Sequence, residues 1–113
     1  MKRVEAYIRP EKLADVREAL AAGAIVGVTV AGVRGSGSEE GRPGSYRGQA
    51  FVIDLHDKVK IEVICSDSRS EWVVNVIVRA ARTGAPGDGK VTVTALERVV
   101  SIRTGAGGEE AVV

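Results

Sequence analysis

Val4, Ala6 and Ile8 alternate with polar or mixed residues over Lys2–Ile8, the two-residue period of a half-buried strand. Pro10 ends that pattern, and Leu13, Val16 and Leu20 then recur at helical spacing, with Asp15 near the start and Gly23 as a terminator. Residues 25–33 are rich in β-branched side chains, a run long and hydrophobic enough for a buried strand. Residues 35–50 break the pattern with Gly35, Gly37, Gly41, Gly44 and Gly48 among serines, Glu39, Glu40 and Pro43. Such a stretch has too little apolar surface to pack, which predicts a long exposed loop with little fixed structure, and loops of that length are usually functional. Val59, Ile61, Val63 and Cys65 alternate with Lys58, Lys60 and Glu62 in a third strand. A second helix is predicted over about 70–82, with Val73, Val76, Ile77 and Ala80 as its buried stripe and Ser68 or Ser70 as its cap. A glycine-rich turn over 83–89 leads to a fourth strand from Lys90 to about Arg98, and the tail from Ser101 onward, with its glycines and acidic residues, is expected to fray.

The order strand, helix, strand, long loop, strand, helix, strand is that of an α+β, ferredoxin-like βαββαβ sandwich. Right-handed crossovers put both helices on one face of the sheet. The second strand is apolar on both sides, with Val26, Val28 and Val30 on one and Ile25 and Val33 on the other. An uncovered apolar face of that kind implies self-association.

A chain of 113 residues is one domain, 1–113, and its 44% hydrophobic and 27% charged residues are ordinary for a globular protein. The net charge of +1 argues against nucleic acid as a partner. Cys65 is the single cysteine and His56 the single histidine, which removes disulfides, thiolate metal cages and Ser-His-Asp catalysis within one subunit. No metal site is expected. Neither a signal segment nor a membrane span is legible, and the chain is expected to be cytoplasmic, without insertion into the membrane. Cys65 is expected in the core, His56 in a surface turn beside Asp57, and Trp72 packed at a helix edge.

Gly84 is separated by four residues from the pair Gly89-Lys90, close to a Walker pattern. Val91 stands where Ser or Thr would hold magnesium, and the stretch joins a helix to a strand instead of a strand to a helix. A P-loop NTPase is therefore not indicated, although glycine amides followed by a lysine can still face a phosphate.

Taken together, four stretches carry a resemblance: Tyr46-Arg47-Gly48-Gln49-Ala50-Phe51; Thr83-Gly84-Ala85-Pro86-Gly87-Asp88-Gly89-Lys90; Arg98-Val99-Val100-Ser101-Ile102-Arg103-Thr104-Gly105; and Arg9-Pro10 with Lys12-Leu13 and the helix behind them. The chain resembles the PII nitrogen-signalling family over essentially its whole length. The resemblance implies a homotrimer with sheets turned inward, a long T-loop over about 36–55, a flexible tail over about 104–113, and nucleotide clefts between subunits. It implies that the base of ADP, AMP or ATP lies near Val28, Thr29, Glu62, Val63 and Ile64. The phosphates would meet the amides of Gly87, Asp88 and Gly89, with Lys90 and, from an adjoining subunit, Arg103. Gly35 and Gly37 would let the loop base approach the ligand, beside Ser38. Arg9, Glu39 and Lys58 stand where a second ligand, 2-oxoglutarate, is seated, and Arg42, Tyr46, Arg47 and Phe51 belong to the partner-contacting loop. No prosthetic group is implied; the small molecule is a nucleotide, and the protein partner a nitrogen-metabolism target or a membrane transporter.

Several positions depart from that pattern. Ser38 and Ser101 replace phosphate-binding arginines, Ala85 a frequent lysine, Glu39 the glutamine that coordinates magnesium, and Phe51 the tyrosine that accepts a uridylyl group. Two lost charge-assisted contacts correspond to roughly 3–6 kcal/mol if additive. ADP or AMP should therefore suffer less than ATP with 2-oxoglutarate, and magnesium is in doubt as a companion ligand. The alternatives are a regulator of a bicarbonate or metal transporter, and a slow nucleotide-hydrolysing enzyme using Asp88 or Glu62.

Overall fold

The alternation at the N-terminus places Val4, Ala6 and Ile8 on one face of β1 (Lys2–Ile8), and in a computed structural model of the chain all three are at most 2% exposed. The structure describes residues 1–36, 42–46, 49–53 and 55–112, with 42–46 and 49–53 described as backbone. After β1 come a 3₁₀ turn (Pro10–Lys12), α1 (Leu13–Ala22), β2 (Thr29–Gly35), β3 (Arg42–Tyr46), β4 (Gln49–Ile53), β5 (His56–Cys65), α2 (Asp67–Ala81) and β6 (Lys90–Ala95). Four strands form one sheet in the order β2-β5-β1-β6. Every neighbouring pair is antiparallel, with Lys2 opposite both Cys65 and Ala95, and Thr29 opposite Glu62. This is the βαββαβ topology expected from the order of elements.

The core lies between the sheet and the two helices. Val4, Ala6, Ile8, Ile61, Val63 and Cys65 meet Val16 and Leu20 of α1 and Val73, Ile77 and Ala81 of α2. The expected stripe of α2 is therefore rotated slightly. Ala81 is buried, whereas Val76 and Ala80 pack at the margin. The helix also starts earlier than its apolar period suggests, at Asp67, with Ser66 at the N-cap. Neither Ser68 nor Ser70 caps it, because both lie inside the helix; the Ser70 hydroxyl donates to the Asp67 carbonyl at 3.0 Å. Trp72 packs at the helix edge as expected, with the Arg69 guanidinium 4.7 Å from its ring centroid. A Cβ at Gly23 would stand 2.0 Å from Trp72 Cη2, so the end of α1 needs glycine there for the two helices to meet.

Three expectations change. The second strand begins at Thr29, not at residue 25, because the amide of Ile25 still bonds back to Leu20 at 3.0 Å and Val26 is left 78% exposed. It is an exposed edge strand, not a buried one. The sheet face away from the helices is also not apolar. By register it carries Arg3, Glu5, Tyr7, Thr29, Lys58, Lys60, Glu62, Lys90, Thr92 and Thr94, against only Ala31, Val33 and Ile64. Self-association therefore cannot be argued from an uncovered apolar face, because alternate residues of four strands combine there into rows of charge. Finally, the segment expected to lack fixed structure contains an antiparallel hairpin, Arg42 opposite Ile53 through Tyr46 opposite Gln49.

Smaller differences follow the hydrogen bonds. β6 ends at Ala95 rather than near Arg98, and the Leu96 amide closes on the Met1 carbonyl at 3.0 Å. His56 opens β5 opposite Gly35 instead of lying in a turn. Part of the expected fraying tail is ordered, with Val100 bridged to Gly107 and a 3₁₀ turn over Gly108–Val112.

Candidate functional site

Where α2 ends, Arg82 turns extended and the chain runs through seven residues, 83–89, before entering β6. Gly84, Gly87 and Gly89 adopt φ of +90°, +101° and +95°, conformations that side-chain-bearing residues rarely take. At Gly89 the requirement is also steric. A Cβ there would lie 1.6 Å from the Tyr7 carbonyl oxygen, so the loop can rest on β1 only as glycine.

The Asp88 side chain folds back on its own loop. Its carboxylate accepts hydrogen bonds from the Thr83 amide at 2.9 Å, the Gly84 amide at 2.8 Å and the Thr83 hydroxyl. Arg9, just past β1, donates through Nε to the same carboxylate at 3.2 Å and through Nη2 to the Pro86 carbonyl at 2.7 Å. Lys58 of β5 donates to the Gly87 carbonyl at 2.6 Å. The Thr83 hydroxyl first, then the Thr83 and Gly84 amides and Arg9, hold the Asp88 carboxyl well below the usual carboxylate range. A carboxylate so engaged is a weak base, which counts against Asp88 in hydrolytic chemistry.

These contacts turn the carbonyls of Pro86 and Gly87 toward the two cations. Among the described residues, none accepts a hydrogen bond from the amides of Gly87, Asp88 or Gly89. Successive unpaired amides in a glycine loop form a concavity suited to an anion. They border a cleft of about 640 Å³ between this loop and the end of β2 and β5, lined also by Tyr7, Val33, Arg34, Gly35, Lys58 and Lys90. That size is typical of small-molecule sites. Asp88 and Arg9 offset each other's charge, and Lys90 also borders the cleft.

The expected phosphate residues Gly87, Asp88, Gly89 and Lys90 thus come together, with Lys58 and Gly35 beside them. Of the expected base residues, Thr29, Glu62 and Ile64 lie along the same sheet face but outside this cleft. Thr29 is paired with Glu62, which stands four residues from Lys58 along β5, about 13 Å at the rise of a strand. Ile64 shares that face, opposite Arg3. Val63 does not, since its side chain is fully buried against the helices and only its backbone can reach a ligand. Val28 precedes β2 and packs partly against the core. Arg103 lies in the turn after Val100, away from the cleft lining of its own chain. At Gly35 a Cβ would meet nothing within 4 Å, so this chain alone does not require glycine there. Gly37, Ser38, Glu39 and Arg47 lie outside the described residues, as do the side chains of Arg42, Tyr46 and Phe51.

Tyr7, Val33, Arg34 and Thr83 were not legible as site residues. Each reaches the cleft or its loop through sheet register or a fold-back, and only the Thr83-Gly84…Asp88 spacing hinted at a side chain closing a turn.

The P-II family model, nitrogen regulatory protein P-II, matches residues 1–106. The chain belongs to the P-II family. It is 46% identical to nitrogen regulatory protein P-II of Microchaete diplosiphon, over 99% of this chain and 100% of that protein. It is 47% identical to nitrogen regulatory protein P-II 2 of Methanothermobacter thermautotrophicus, over 99% and 97%. Identity to nitrogen regulatory protein P-II of Azospirillum brasilense is also 47%, over 99% and 100%. Membership in the P-II family makes the chain a signal-transduction regulator of nitrogen metabolism. Among the described residues no helix is long and apolar enough to cross a membrane.

Proposed function

We propose that this P-II chain senses adenine nucleotides and reports their binding to a partner protein through the segment that holds the β3–β4 hairpin. The phosphates sit on the amides of Gly87, Asp88 and Gly89 and on Lys90, and the base extends along the sheet toward Thr29 and Glu62. Three such clefts form in a homotrimer, each completed by Arg103 of an adjoining subunit. The observation that carries this reading is the run of three amides without an acceptor among the described residues, at glycine-loop residues that line the cleft together with Lys90. The four-residue separation of Lys58 and Glu62, about 13 Å at the rise of a strand, suits the length of a nucleoside diphosphate.

Ligand binding at the base of β2 is relayed to the β3–β4 hairpin, which docks on a cytoplasmic target such as a nitrogen-metabolism enzyme or a membrane transporter. Ser38 and Ser101 remove cationic contacts from the phosphate end and Glu39 replaces the magnesium-coordinating glutamine of the family pattern, so ADP and AMP bind better than ATP with magnesium and 2-oxoglutarate. Calorimetric titration with AMP, ADP and ATP, each with and without magnesium, 2-oxoglutarate and bicarbonate, tests both points. Absence of binding by all three nucleotides overturns the sensor. Tightest binding of ATP with magnesium and 2-oxoglutarate overturns the ranking alone.

A further inference from the structure

We infer that the Asp88 side chain, held by Arg9 and Thr83, is a positioning group that presents the amides of residues 87–89 to the ligand without touching it. Inference of this role rests on the nucleotide reading above, but it concerns the side chain of Asp88, not its amide. The carboxylate gathers donors from both ends of the turn: the Thr83 amide and hydroxyl, the Gly84 amide, and Arg9 from a segment 79 residues away. The Thr83 hydroxyl also accepts from the Ala85 amide at 3.2 Å, which extends the closure along the turn. With every one of these donors directed inward to one carboxylate, the peptide planes of 86–88 can rotate little. The Pro86 and Gly87 carbonyls are already engaged by Arg9 and Lys58, which fixes the amides of residues 87 and 88 on the opposite sides of their peptide planes.

A carboxylate beside an anion site would ordinarily repel the anion. Here the charge is matched by Arg9 and spent on four hydrogen bonds, which lets an acidic residue sit in the middle of a phosphate loop. Asn cannot substitute for it. An amide side chain offers one oxygen in place of two and would set an NH₂ group against one or more of the same donors. The loop then has to give up part of its closure, although the backbone amide of residue 88 is unchanged. The ordering that the free protein has already undergone would become a cost of binding.

The test compares the wild-type protein with Asp88→Asn, and Thr83→Val with Thr83→Ser, by two measurements. In the ligand-free protein, amide hydrogen exchange at residues 83 and 84 should speed up at least about tenfold in Asp88→Asn, while amides of β1 and β5 keep their protection. ADP titration should show binding weakened about tenfold or more by Asp88→Asn and by Thr83→Val, and restored toward wild type in Thr83→Ser. A merely structural defect would not follow the hydroxyl. Unchanged exchange at 83 and 84 overturns the closure. Faster exchange with unchanged ADP affinity overturns the positioning role and leaves nucleotide binding standing. Failure of the wild-type protein to bind ADP refutes the nucleotide site itself, and with it the positioning role, while the exchange rates still decide the loop closure.

Discussion

Replacing Gly89 by alanine isolates how the glycine-rich loop of residues 83–89 is fitted to the sheet. At φ +95° an alanine carries a backbone cost of about 1–2 kcal/mol relative to glycine. The new Cβ would also stand 1.6 Å from the Tyr7 carbonyl oxygen and 2.8 Å from its carbon, distances that no rotamer can relieve because both atoms are backbone. The loop must lift, and the first ladder position lost is Tyr7 opposite Lys90. One or two backbone hydrogen bonds at about 1 kcal/mol each bring the expected loss to about 2–4 kcal/mol, a large share of the stability of a small domain. Gly84→Ala is the control, since its φ is +90° but a Cβ there meets nothing within 4 Å. It should cost about 1–2 kcal/mol only. Urea denaturation of the two variants, followed by circular dichroism, measures the difference directly. If Gly89→Ala loses no more stability than Gly84→Ala, the close approach to Tyr7 carries no energy and the steric reasoning is wrong.

Other outcomes follow from contacts elsewhere in the fold. Gly23→Ala should push the Trp72 ring off the end of α1, costing about 1–3 kcal/mol and shifting the emission of the single tryptophan; an unchanged spectrum with unchanged stability would count against that packing. Asp88 and Asp67 both have folded-state pKa values below their unfolded ones, Asp67 through its hydrogen bond from the Met1 amino group at 2.5 Å. The native state therefore binds fewer protons, the stabilisation is complete above about pH 5, and it is lost progressively as the pH falls below about 4 toward the depressed folded-state values. Asp88→Asn should flatten the acid limb of urea midpoint against pH, and parallel limbs would refute the linkage. Burial pushes the Cys65 thiol up, and at 1% exposure it should react with a thiol reagent only at the rate of unfolding. Reaction of the native protein as fast as a free thiol would refute its burial. Ile77→Ala, which empties a fully buried position between α2 and the sheet, should cost about 2–5 kcal/mol in the same denaturation assay.

Local order was legible because it is written in local periods. The two-residue alternation of Val4, Ala6 and Ile8, and of Ile61, Val63 and Cys65, marks the inner face of β1 and β5 wherever the strands end up. Val16, Leu20, Val73 and Ile77 mark the helix faces in the same way, and the glycines of 83–89 announce a turn that only a permissive backbone can make. The motif set carried the family. What periodicity does not encode is which residues of different elements become neighbours. Only register made the outer sheet face a charged one, because its composition is drawn from alternate residues of four separate strands. The start of β2 was decided by a hydrogen bond returning to α1, not by the β-branched run that precedes Thr29. The cleft itself depends on Arg9 and Lys58 reaching carbonyls 77 and 29 residues away, contacts whose energy appears only once the chain has closed.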